Sequence, residues 1–114
     1  PWAMHQLVQH QSAGHRCVIV SASTSLYMHL VGESLGVDAV LCTEMEVADG
    51  RYTGRMATAN CHGEEKVHRL QAWLATRYGD TTTPELHAYG DTRGDLPLLR
   101  LASKAWYREK PWRA

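Results

Sequence analysis

Along the chain the apolar residues change period several times, and each change marks an element. Met4, Leu7 and Val8 recur at helical spacing ahead of Gly14, so residues 2–13 are expected to form a helix. Arg16–Ser21 follows and contains Cys-Val-Ile-Val, a β-branched run suited to a parallel strand buried on both faces. Leu26, Tyr27, Leu30, Val31 and Leu35 return to the helical period and stop at Gly36. Val37–Cys42 reads as a second short strand. Glu44–Thr58 alternates polar and apolar residues around Asp49-Gly50, which predicts a hairpin. The spacing predicts a long helix over Gly63–Tyr78, with Val67, Leu70, Trp73 and Leu74 facing inward. Leu86–Gly90 is a third apolar strand, Leu96–Leu101 a short helix and Ala105–Tyr107 a final strand. Strand and helix alternate, which implies an α/β architecture with a mostly parallel sheet.

Composition narrows the classes. A chain of 114 residues is one domain or part of one. Twelve basic residues balance twelve acidic ones, so no global cationic field exists to capture nucleic acid or anionic lipid. With 44% hydrophobic residues the chain is globular rather than disordered. No apolar run approaches the ~18 residues of a membrane span. Cys17, Cys42 and Cys61 are odd in number, far apart and without a C-x-x-C pair. Neither a disulfide framework nor a structural zinc site is expected from them, and a reducing cytoplasm fits.

In α/β sheets ligands bind at the carboxyl ends of the strands. The first strand is followed by Ser21-Ala22-Ser23-Thr24-Ser25 and the third by Gly90-Asp91-Thr92-Arg93-Gly94-Asp95, while Gly63-Glu64-Glu65-Lys66 opens the long helix. The Ser21 hydroxyl, with the N–H groups of Ala22 and Ser23, would hold a phosphate oxygen. The plainer alternative is helix capping by Ser23, Thr24 or Ser25. Lys66 is either a solvated surface charge or a fixed cation that neutralises a phosphoryl group. Asp91 and Asp95 suit Mg²⁺, a hard ion that takes oxygen ligands. Alternatively, Asp91 makes an Asx-turn and Asp95 caps the helix that contains Pro97. His62 and His68 flank Lys66 as surface residues, at a spacing that does not match a helical metal pair.

Taken in order, these stretches resemble the haloacid dehalogenase superfamily of phosphohydrolases. Val18-Ile19-Val20-Ser21 is similar to its second motif, Lys66 to its third and Gly90-Asp91-Thr92-Arg93-Gly94-Asp95 to its fourth. Val20-Ser21-Ala22-Ser23, Asn60-Cys61-His62-Gly63-Glu64-Glu65-Lys66 and Tyr89–Asp95 resemble the phosphoserine phosphatase-like branch more closely, over essentially the whole chain. The resemblance implies a Rossmann-like core and a Mg²⁺-dependent phosphomonoesterase acting through an aspartyl-phosphate. Ser21, Ala22, Ser23 and Lys66 would bind the substrate phosphate and Asp91 the metal. Lys66 and Asp95 would serve catalysis, Asp95 by supporting the metal's water shell or by orienting Lys66. Ser23 and Thr92 would also lie near the site. The implied substrate is a small-molecule or lipid-linked phosphomonoester.

One departure matters as much. The superfamily's first motif, Asp-x-Asp-x-Thr, supplies the nucleophile, and no two of Asp38, Asp49, Asp80, Asp91 and Asp95 are two positions apart. The family's cap is expected between the first and second motifs, so residues 1–114 are expected to be a single partial core, the C-terminal part of a phosphatase and inactive alone. The alternative is a non-catalytic module that binds phosphate, Mg²⁺ or a protein partner. Codons upstream of Pro1 that encode the first motif would favour the phosphatase, and a start codon there the module. The resemblance also places the family's first strand between the strand ending at Ser21 and the one ending at Gly90. Without it those strands would face a gap or pair with each other, and the isolated chain is expected to be poorly soluble or molten. Trp106, Tyr107 and Trp112, with Arg108, Lys110 and Arg113, either pack on the sheet edge or make a weak membrane-surface contact.

Overall fold

The structure is a computed structural model that describes residues 1–79 and 84–113; Asp80 lies outside the described residues. Helix α1 spans Trp2–Ser12 and is followed by β1 (Val18–Thr24), α2 (Met28–Leu35), β2 (Ala39–Thr43) and a hairpin of β3 (Met45–Ala48) and β4 (Arg51–Met56). Then come α3 (Glu64–Tyr78), β5 (His87–Gly90), a 3₁₀ turn (Arg93–Asp95), α4 (Leu96–Leu101), β6 (Lys104–Tyr107) and β7 (Lys110–Pro111). The chain groups into two compact units, Leu7–Cys61 and Pro1–Gln6 with His62–Ala114.

In the first of these units β1 pairs in parallel with β2, Val18 opposite Ala39 through Val20 opposite Leu41, then Thr24 opposite Thr43. Ser21, Ala22 and Ser23 therefore face the single residue Cys42, a bulge in the strand. Contrary to expectation β1 does not end at Ser21, and all seven of its residues are only half-buried. The two strands form a two-stranded sheet. Helix α2 begins two residues later than the pattern implied. Its N-cap, Tyr27, makes no side-chain cap bond, so capping by Ser23, Thr24 or Ser25 does not occur. Ser25 instead accepts the Met45 N–H at 2.8 Å. The later start turns Met28, Gly32 and Leu35 inward, at i, i+4 and i+7. It leaves Leu26, Tyr27, Leu30 and Val31 exposed, which corrects the expected inner face. Gly36 ends the helix in the left-handed region, as the sequence indicated. Helix α1 buries no residue. Its Gln11 side chain donates to the Leu35 carbonyl at 2.9 Å and so satisfies one of the orphan acceptors at the end of α2. Asp49 and Gly50 both take positive φ, the turn that Asp-Gly favours between twisted strands.

In the other unit β5 pairs in parallel with β6, and β6 antiparallel with β7. The β6–β7 hairpin has no sequence signature: its turn residues, Arg108 and Glu109, both adopt positive φ without glycine or asparagine. Trp106 stacks on Tyr89 at 4.7 Å, and the Arg108 guanidinium lies 5.2 Å from the Tyr107 ring centroid, so the aromatic tail is built into the sheet edge. Helix α3 carries Glu64 and Glu65 in its first turn and Arg77 in its last, as its dipole favours. Leu70 of α3, Leu99 of α4 and Ala105 of β6 form the buried apolar core here; Met28, Leu41, Cys42 and Cys61 do so in the first unit. Strands β1 and β5 belong to separate sheets.

Candidate active site

Gly90 ends β5 and lets the following loop fold back on it. A Cβ at position 90 would fall 2.6 Å from the Asp95 Cβ, closer than real side chains approach. With that space open, Asp95 turns its carboxylate toward the strand end. Its Oδ2 accepts the N–H groups of Asp91 and Thr92 and the Thr92 hydroxyl, each at 3.1 Å. Thr92 and Asp95 thus form a reciprocal capping box around the 3₁₀ turn. Asp95 makes no side-chain cap to α4, so the expected capping of the Pro97 helix is replaced by capping of the turn before it.

The other oxygen of Asp95 meets Lys66. Nζ and Oδ1 lie 2.7 Å apart, with the two side chains 8% and 14% exposed. Lys66 is in the first turn of α3 and is buried, which overturns the surface-charge alternative. Burial alone would raise the Asp95 carboxyl above its ordinary range. The hydrogen bond from Lys66, the Asp91 and Thr92 amides and the lysine's charge outweigh it, and the net direction is down. Asp95 is therefore a fixed anion at neutral pH.

Asp91 is exposed, and its carboxylate makes no hydrogen bond among the described residues, so it forms no Asx-turn. Its main chain is held at both ends: the N–H by Asp95 and the carbonyl by the Arg108 side chain at 3.2 Å. The residue is anchored while its oxygens stay available. His62 is exposed but packs on Gly94, where a Cβ would lie 2.7 Å from its Nε2. That close approach gives the second glycine of Gly90–Asp95 a role that spacing alone does not reveal.

Ser21, Ala22 and Ser23 lie in the bulge of β1. The Ser23 N–H donates to Ser21 Oγ at 3.0 Å, so it is not an open donor as the sequence reading required, whereas the Ser21 hydroxyl proton can still be donated. Thr43, one residue beyond the expected strand and not singled out from the sequence, organises this region. Its hydroxyl lies 2.9 Å from the Ala22 carbonyl and 3.2 Å from Asn60 Oδ1, and accepts the Cys61 N–H at 2.9 Å.

A model of the haloacid dehalogenase-like hydrolases matches residues 1–100. The chain belongs to this family. A histidinol-phosphatase of Neisseria meningitidis is 37% identical over 102 residues, which cover 86% of this chain and 46% of that protein. Among solved structures, a protein of unknown function from Bordetella pertussis superposes with a TM-score of 0.81 at 33% identity, over 90% of this chain and 47% of that one. A probable phosphoserine phosphatase from Vibrio cholerae gives a TM-score of 0.72 at 20% identity, over 90% of this chain and 31% of that one, and so shares the fold. The haloacid dehalogenase-like chain thus spans less than half of each of these relatives.

Proposed function

We propose that the whole protein is a Mg²⁺-dependent phosphomonoesterase and that residues 1–114 supply its charge-stabilising half. The Lys66–Asp95 pair at the carboxyl end of β5 carries this reading: a buried cation, fixed by an anion that cannot readily take its proton. In this reading Lys66 stabilises negative charge on the phosphoryl group as a nucleophilic carboxylate attacks phosphorus and the ester oxygen leaves. Ser21 donates its hydroxyl proton to a phosphoryl oxygen, with Ala22 and Ser23 shaping the bulge that presents it. Asp91 fits a hard divalent ion, because its carboxylate is exposed, anchored through its main chain and free of competing donors. When bound, Mg²⁺ would neutralise phosphoryl charge. Asp95 has both oxygens committed, so its role is to orient Lys66 rather than to reach the ion. The substrate is a small phosphate monoester.

Phosphate release from p-nitrophenyl phosphate tests the proposal. The 114-residue chain alone is expected to be inactive, since no Asp-x-Asp-x-Thr occurs in it. A longer product that carries that motif upstream should turn over. There, Lys66→Ala should lower the rate by about 10²–10³ at saturating Mg²⁺, the usual loss for a charge-stabilising donor. Asp91→Asn should raise the Mg²⁺ requirement. Turnover by the 114-residue chain that Asp91→Ala abolishes, or wild-type kinetics in Lys66→Ala, would overturn the assignment.

A further inference from the structure

His29, Cys42 and Glu44 bring an imidazole nitrogen, a thiol sulfur and a carboxylate oxygen within 4.8 Å of one another. His29 is the second residue of α2. Cys42 and Glu44 are two positions apart where β2 runs out, so the strand period sets them on one face. His29 Nε2 lies 2.9 Å from Glu44 Oε2, Cys42 Sγ lies 3.3 Å from that oxygen, and the sulfur and the imidazole nitrogen are 3.9 Å apart. Bonds of ~2.0–2.3 Å from Zn²⁺ to N, O and S place tetrahedral donors ~3.3–3.6 Å apart, so the triangle needs shifts of only a few tenths of an ångström.

Three further observations favour a site over a chance cluster. Cys42 is fully buried, yet its sulfur lies beside the His29 imidazole and donates to the Glu44 carboxylate. The Glu44 main chain is pinned on both sides, its N–H by the Thr58 hydroxyl at 3.0 Å and its carbonyl by the Ala57 N–H at 2.8 Å. The His29 and Glu44 side chains are 53% and 32% exposed, so both ligands can be reached from solvent. We propose that His29, Cys42 and Glu44 form a binding site for Zn²⁺ or a similar borderline divalent metal, with three protein ligands and one exchangeable position. On binding, the Cys42 thiol releases its proton to solvent and the thiolate bonds the metal; nothing is oxidised. The mixed N, S, O donor set selects against Mg²⁺, which prefers oxygen alone. The bound ion links the first turn of α2 to the end of β2. The proposal is independent of the phosphatase reading, which uses none of these three residues.

Titration of the reduced longer product that carries the upstream motif with Co²⁺ tests it, since cobalt reports thiolate ligation by a near-ultraviolet charge-transfer band and four-coordination by intense visible bands. One equivalent of Co²⁺ should produce both, Zn²⁺ should bleach them stoichiometrically, and millimolar Mg²⁺ should leave them unchanged. Cys42→Ser should abolish the charge-transfer band, and His29→Gln should weaken Co²⁺ binding at least tenfold. Cys17→Ser should retain the full signal. His29 is half-exposed, so its variant tests ligation without disturbing the core. No charge-transfer band in the wild-type chain, a band that survives Cys42→Ser, or unchanged affinity in His29→Gln would each overturn the site.

Discussion

Replacing Asp95 with alanine should destabilise the chain far more than a typical surface change. The Lys66 and Asp95 charges sit 2.7 Å apart and are 8% and 14% exposed. At that separation and an effective dielectric near 20, the gross attraction is on the order of 6 kcal/mol, most of it offset by the desolvation of both ions. What the substitution measures is the cation left behind. Stranding one partner of a buried pair costs about 3–5 kcal/mol. The variant also removes the acceptor for the Asp91 and Thr92 amides and the Thr92 hydroxyl. These lie in an exposed loop where water can substitute, so that loss adds about 1 kcal/mol or less. Lys66→Met leaves the reverse situation, a carboxylate that still accepts three hydrogen bonds, and should cost roughly half as much. Urea unfolding followed by far-ultraviolet circular dichroism at pH 7, at low protein concentration, measures both. With a urea slope near 1.5 kcal/mol per molar, a loss of about 4 kcal/mol moves the midpoint down by roughly 2–3 M. A loss under about 1 kcal/mol for Asp95→Ala, or an equal loss for Lys66→Met, would refute the reasoning.

The same carboxylate sets an acid response. The folded Asp95 holds its proton less tightly than the unfolded chain does, so its contribution is complete above the ordinary carboxylate pKa and disappears as pH falls through the lower folded value. The stability gap between wild type and Asp95→Ala should be flat from neutral pH to about 5 and close in stronger acid; a gap that narrows between pH 7 and 5 would contradict this. Gly90→Ala should disrupt the loop without removing a charge, because its Cβ would strike Asp95, and a loss of about 1–3 kcal/mol in urea unfolding is expected.

Most elements were legible because local signals and tertiary packing agree. Asp49-Gly50 fixes one hairpin, Gly36 ends α2, and the apolar runs of β1, β2 and β5 pair in parallel as their composition implied. Reading failed where packing chose among local options. The start of α2 moved because Ser25 was taken up by the Met45 amide and could not cap the helix. The consequence was a different inner face, and four apolar residues counted toward the core stand in solvent. The β6–β7 turn was invisible because Arg108 and Glu109 adopt a conformation their side chains disfavour, a choice that the sheet imposes and no dipeptide rule foretells.

In the candidate site, spacing alone leaves the two aspartates alike, and only the family resemblance offered Asp95 as a residue that orients Lys66. Spacing located Lys66, Asp91 and Asp95, yet it treats two aspartates in one loop as equivalent metal ligands. The hydrogen bonds separate them. Asp95 spends one oxygen on Lys66 and the other on three donors of its own loop, and it is pushed toward the charged form. Asp91 keeps its carboxylate in solvent and is held only through its main chain. One aspartate therefore fixes a cation and the other remains available to receive one. That division depends on Gly90, whose missing side chain makes room for the Asp95 carboxylate, so the residue least suggestive of chemistry sets which carboxylate is tied up and which stays in solvent.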